Sequence, residues 1–241
     1  MSSDQSTIIA RRSVSLSKTY PILGVGLALM GLLISSLSGV ISNLPTNGVP
    51  VNATGRSGLN IAAGLPFIAV PLQAFAAIIF ATPVLLLFVY DKNNGVLEYF
   101  LSLGMTQSDI YRRYLKAALI LASAIVCFDV VIDVAAGLID GMVRLMLEVS
   151  GLVVALALPT VCFGALIMMS FSSLQKQRVG SNQPLGMAIG VFIVMPSYVG
   201  PLIVPSLALA IDLLLAGLIV VLSVLMYLSA SRLISREKLL P

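Results

Sequence analysis

The sequence predicts an all-α integral membrane protein with six transmembrane helices and both termini on one side. Three observations carry that prediction. Apolar residues make up 59% of the 241 and charged ones only 10%, with a mean hydropathy of +1.06. A soluble domain carries roughly 25% charged and about 45–50% apolar residues. Six stretches are apolar over the roughly 20 residues of helix that a bilayer core about 30 Å thick requires. Twelve of the fourteen Lys and Arg residues then fall in segments on one face of the membrane. Cytoplasmic loops hold the excess of basic residues, so both termini are cytoplasmic. The expectation is a multi-pass protein of the cell (plasma) membrane.

The whole chain, 1–241, reads as one transmembrane domain. Residues 6–19 form a basic amphipathic segment at the inner interface, with Ile8, Ile9, Val14 and Leu16 as its apolar side. The apolar stretch that follows is too long for the roughly 7–15 residues of a signal-peptide core. Spans are expected at 20–41, 64–90, 114–139, 145–173, 184–200 and 208–230. The first is uncharged from Tyr20 to Ile41, and the second lies in the uncharged stretch from Ser57 to Tyr90. The third starts after Arg113. The fourth runs to about Ser173, and Leu213 to Ser229 is the last clean one. The fifth differs, because Pro184, Pro196, Pro201 and Pro205 interrupt it. Proline removes a backbone donor and clashes with the preceding turn. In lipid, such backbone is shielded by protein or lines a cavity. Short re-entrant helices in the outer leaflet are expected there, with Pro196, Tyr198, Gly200, Pro201 and Pro205 as a candidate outer cap.

On this topology Arg11, Arg12, Lys18, Lys92, Arg112, Arg113, Lys116, Lys176, Arg178, Arg232, Arg236 and Lys238 are inside; Arg56 and Arg144 are outside. The net charge of +4 is then an orientation signal and an attraction to anionic membrane lipid, not a sign of a nucleic-acid partner. Asn52-Ala53-Thr54 is an N-glycosylation sequon in the outer loop. Cys127 and Cys162 fall inside spans and read as small apolar residues rather than ligands. The absence of His removes HExxH zinc chemistry and imidazole proton relays. No GxxxxGK[ST] phosphate loop is present, so ATP hydrolysis by that route is excluded. No metal site and no catalytic residue is expected.

The loop at 91–113, between spans two and three, is the most unusual segment. Gly95 ends the preceding helix. From Val96 to Leu103 the apolar residues Leu97, Phe100, Leu101 and Leu103 recur at helical spacing, with Glu98 and Ser102 polar. Gly104 stops this short helix, and Thr106 or Ser108 caps the next. An apolar stripe at the inner face needs a cover, from lipid headgroups, from the protein's own helices or from a soluble partner.

Here the chain resembles the membrane subunits of ABC type-2 exporters. Asp91, Lys92, Gly95, Leu97, Glu98, Leu101, Ser102, Gly104, Met105 and Thr106 follow that family's pattern after its second span, in the first cytoplasmic loop of a six-span chain. Two places depart from it: Met105 replaces a common Pro, and Arg112, Arg113 and Lys116 stand where Gly-Lys is usual. The resemblance implies that this segment is a coupling helix docking on a cytoplasmic ATPase subunit. Asp91, Lys92, Gly95, Leu97, Glu98, Phe100, Leu101, Met105, Thr106 and Asp109 are the candidate docking residues. Leu97, Phe100 and Leu101 would anchor in a groove, and Glu98 and Asp109 would pair with basic groups at its rim. It further implies a non-enzymatic permease that holds no cofactor, with ATP and Mg bound by the partner. A second copy, or a related permease, would complete the pathway for a hydrophobic, lipid-like or peptide cargo.

Asp129, Asp133 and Asp140 lie within about 40° of one another on a helix. Counting about 1.5 Å per residue from Lys116 puts Asp129 roughly 20 Å and Asp133 roughly 26 Å into the membrane. Carboxylates at such depth face protein or water. Asp129 and Asp133 are therefore candidates for a pathway wall; neutralisation by Arg144, or protonation with hydrogen bonding, is the other reading. Gly137-x-x-x-Gly141 and Gly186-x-x-x-Gly190 permit close helix approach. An ion-coupled secondary transporter and a non-transporting assembly scaffold are the alternatives in function.

Overall fold

The computed structural model describes residues 2–42, 55–172 and 208–233, and every element there is an α-helix. They are α1 (Ser2–Leu16), α2 (Thr19–Ser42), α3 (Gly55–Asn93), α4 (Val96–Ser102), α5 (Gln107–Asp140), α6 (Val143–Ser172) and α7 (Ala208–Leu233). Five are long and apolar enough to cross a membrane: α2, α3, α5, α6 and α7. The expected fifth span, 184–200, lies outside the described residues, as do the five candidate cap residues and the Asn52 sequon.

The helices start and stop for local reasons. Gly95 separates α3 from α4 with φ 72°, a conformation that favours glycine. Gly104, at φ 81°, closes α4: its N–H donates to the Leu101 carbonyl and the Met105 N–H to the Phe100 carbonyl. That paired pattern is a Schellman motif. Thr106 then caps α5, its Oγ1 accepting from the Asp109 N–H at 3.2 Å. Gly141, at φ 71°, ends α5 and leaves only itself and Met142 before α6. Within 91–113, α3 continues to Asn93 and α5 begins at Gln107, with α4 between them.

α3 is the central helix; 72% of its span is buried, against 22% for α2 and for α7. α2 packs on α3 through Gly24, Ala28, Gly31 and Ser35, four small buried residues at spacings of four, three and four. A Cβ at Gly31 would stand 2.8 Å from Gln73 Cγ, and one at Gly24 would stand 3.0 Å from a Phe80 ring carbon. Small residues are what let two apolar backbones approach where no hydrophobic drive separates helix from lipid. Gly137 plays that part between α5 and α6, facing Met146, while Gly141 is a turn residue.

Long-range contacts set the directions. Tyr111 donates to the Met169 carbonyl, and Gly137 faces Met146, so α5 and α6 are antiparallel. Arg112 Nε donates to Tyr227 Oη at 2.9 Å, and Ser223 donates to the Pro159 carbonyl at 3.1 Å. α7 therefore runs parallel to α6. α6 ends, and α7 also ends, at the end of the bundle that carries Arg12, Lys92, Arg112 and Arg113. This is the basic end, and α7 begins at the opposite end.

At the basic end, Phe88 lies 5.3 Å from Tyr111 and 5.2 Å from Tyr114 between ring centroids, the second edge-on. These rings tie α3 to α5. α1 closes the same end, packing on α5 and α3 with Ser6, Ala10 and Ser13 inward. Its larger apolar residues Ile8 and Leu16 are exposed.

Candidate functional site

Two groups of residues have a geometry beyond packing: a platform at the basic end and a polar seam inside the bundle.

The platform is built on Asp91, in the last turn of α3. Asp91 is buried, accepts from Tyr114 Oη at 2.5 Å and lies 3.3 Å from the Arg12 guanidinium of α1. Three helices thus meet on one carboxylate. A buried charge without such partners is costly, which is why Arg12 and Tyr114 belong with it. Lys92 is buried beside it. Around this node lies a cavity of about 290 Å³ lined by residues of α1, α3, α4 and α5, including Ile9, Arg12, Asp91, Phe100, Met105 and Arg113.

α4 lies on this platform with two distinct faces. Leu97 is fully buried in the core, and Phe100, Leu101 and Met105 pack against that core from its edge. Leu97, Phe100 and Leu101 of the stripe are thus covered by the protein's own helices, while Leu103 is not. This changes how the candidate residues read: Asp91, Lys92 and Leu97 point into the molecule and present no surface to a partner. The outward face of α4 is instead Tyr99 and Leu103, each 61% exposed, with Ser102 between them. Glu98 is half-buried. Asp109 is engaged locally, accepting from Thr106 Oγ1 at 2.6 Å, and so supports the start of α5. Gly95 and Thr106 act as cap residues for α4 and α5.

The polar seam lies between α3 and α5. Asp129 is 2% exposed and Asp133 is fully buried, so both carboxylates face protein. Gln73 of α3 donates from Nε2 to both oxygens of Asp133 at 3.0 Å. Arg144 does not neutralise this pair: it is exposed and bonds Glu148, one turn along α6, at 3.3 Å. Asp212 of α7 is also buried. Among the described residues, no group of three or more His, Cys, Asp or Glu residues is placed to hold a metal ion. Cys127 faces outward and Cys162 is half-buried, and both are free thiols.

Sequence reasoning missed Arg12, Tyr114 and Gln73 as members of these groups. For Gln73 a signal existed, since it is a large polar side chain in an uncharged span, where such residues face the bundle interior. For Arg12 and Tyr114 none did, because their roles arise from the meeting of three helices distant in sequence.

The fold and these groups define an all-helical chain of multi-pass membrane character. Comparison with protein-family models, with curated proteins and with solved structures returned no match.

Proposed function

We propose that this chain is the membrane-spanning permease subunit of an ATP-driven ABC type-2 exporter, with ATP and Mg bound by a separate ATPase subunit. The observation that carries this reading is α4, a seven-residue helix lying between two spans with one face in the core and the other in the open. Leu97 makes it a lever. A force applied to Tyr99 and Leu103 is passed to α3 and α5 through a side chain with no room to slip. An ATPase that binds this face differently in its two nucleotide states would shift the bundle between two arrangements. The lining of Arg12 and Arg113 beside the cavity supplies the charge for a partner's acidic rim.

The excess of Lys and Arg makes the basic end cytoplasmic. The parallel run of α6 and α7 supports an even number of crossings, with both termini on that side. The exposed apolar faces of α2 and α7 fit lipid or a second permease copy. The cargo class that suits a pathway with so few polar side chains is hydrophobic, lipid-like or peptide.

A pull-down of the tagged full-length chain in mild detergent, with the co-purifying proteins identified by mass spectrometry, tests this. A stoichiometric P-loop ATPase, lost when Tyr99→Asp and Leu103→Asp are combined, is the expected result. A preparation free of ATPase overturns it. The second reading, an ion-coupled secondary transporter, is favoured by one observation, the buried Asp129–Asp133–Gln73 seam.

A further inference from the structure

The polar seam holds more acceptors than donors. Asp129 and Asp133 stand one turn apart on one face of α5, and both are buried. Gln73 comes from another helix and is fully buried. Its amide nitrogen is spent on Asp133, so its Oε1 is directed elsewhere. Among the described residues that oxygen has no hydrogen-bond partner, and neither has Asp129 Oδ2. Two carboxylates and an amide carbonyl therefore face one another's neighbourhood with a single NH2 group among them.

The position of Gln73 is imposed by packing. Gly31 of α2 sits over its Cγ so closely that a Cβ would stand 2.8 Å away. The side chain is held between α2 and α5. Ala76 and Ala77, one turn along α3 toward Asp129, are small and fully buried and add no donor.

The charge balance is equally one-sided. Neither Asp129 nor Asp133 has an ion pair among the described residues; the two pairs there are Arg12–Asp91 and Arg144–Glu148. The described part of α2 carries no charged residue. α3 carries Asp91 and Lys92 at the basic end and Arg56 in its first turn, at the other end. α6 carries Arg144 and Glu148, engaged with each other, and α7 brings the buried Asp212 and, in its last turn at the basic end, Arg232. Buried charges are paired or hold a cation. The Gln73 amide donates to Asp133 but is neutral and offsets no charge, so one bound monovalent cation would remove one of the two negative charges this pair can carry. A divalent ion takes six or more oxygen ligands, and no suitable cluster exists among the described residues.

We propose that Asp129, Asp133 and Gln73 bind one monovalent cation, a proton or an alkali metal ion, at the seam of α2, α3 and α5. Asp129 supplies the charge, Gln73 Oε1 a neutral oxygen, and Asp133 the second carboxylate. The site is independent of whether an ATPase docks at the basic end.

The test uses the purified full-length chain in lipid nanodiscs. Retention of radioactive sodium and rubidium is measured by equilibrium binding. The protonated-carboxyl C=O band is followed by infrared spectroscopy in the same preparations. The variants are Asp129→Asn and Asp133→Asn, with Cys127→Ser on the outward face of α5 as the control. One retained alkali ion per chain, falling to none in Asp129→Asn and unchanged in Cys127→Ser, supports the site with an alkali ion as occupant. A protonated-carboxyl band in the wild type at neutral pH, removed by Asp129→Asn or Asp133→Asn, supports it with a proton as occupant. Wild-type protein with neither retained ion nor such a band overturns it, and so does a band or ion that persists in both Asn variants. The wild-type measurement decides even if a variant fails to fold. A bound cation without a captured ATPase keeps this site and removes the exporter reading; the converse result does the reverse.

Discussion

At the scale of single residues, burial decides which side chains of α4 are available to act. Leu97 is fully buried and Tyr99, two positions on, is 61% exposed. Leu97→Ala is expected to lower stability by about 2–5 kcal/mol through the cavity it leaves. Tyr99→Ala should change stability by less than about 0.5 kcal/mol. Denaturant or thermal unfolding in detergent, followed by size-exclusion chromatography, measures both, and equal losses would contradict the inward placement of Leu97. Asp91 supports a second expectation. Tyr114→Phe removes a 2.5 Å hydrogen bond to a buried carboxylate, a loss of about 1–3 kcal/mol. Arg12→Gln strips the same carboxylate of its cation. The two losses should be non-additive in a double-mutant cycle because they share one partner; strict additivity would mean that Arg12 and Tyr114 do not meet on Asp91. A charge cluster of this kind was half legible in the sequence. Asp91 and Lys92 stand out at the end of an apolar run, but the helix that would supply the partner does not.

At the scale of elements, the α2–α3 contact is made by absence of side chains. Gly31→Ala puts a methyl group 2.8 Å from Gln73 Cγ, and overpacking of this kind costs typically about 1–3 kcal/mol. Gly26, on the opposite side of α2, has nothing within 4 Å of a new Cβ. Gly26→Ala should be neutral or stabilising by about 1 kcal/mol, from helix propensity alone. Melting temperatures of the two variants, compared in one detergent, check the contrast; a more stable Gly31→Ala would mean that α2 does not sit on Gln73. The spacing of Gly24, Ala28, Gly31 and Ser35 was present in the sequence, yet it is not a GxxxG pair and names no partner helix. The caps were plainer. Gly95, Gly104 and Thr106 bound the short helix as their residue types predict, since left-handed backbone and an unsatisfied first turn are local needs.

At the scale of the whole molecule, the directions of α6 and α7 make a topological prediction. Ser102 is exposed at the basic end, while Ile139 is 85% exposed at the opposite end of α5. In a chain with Cys127 and Cys162 replaced by Ser, a Ser102→Cys thiol should be labelled by a membrane-impermeant maleimide from one side only. An Ile139→Cys thiol should be labelled only from the other. Labelling of both from one side would break the orientation of α5 across the membrane.

What the sequence determined by itself was the apolar helical class and the local stops and starts at Gly95, Gly104 and Thr106. Those follow from properties that are local or summed: apolar length against bilayer thickness, charge asymmetry, glycine at left-handed positions and threonine at a helix start. The tertiary structure alone decided which face of each helix is inside. It turned Leu97 inward and Tyr99 outward, brought Arg12 and Tyr114 to Asp91, and set Gln73 against Asp133 across a sequence separation of 60 residues. In a soluble protein the polar face of a helix reveals its outside. In a chain that is apolar all round, the core and the lipid are chemically alike, so only the packing of helix on helix distinguishes them.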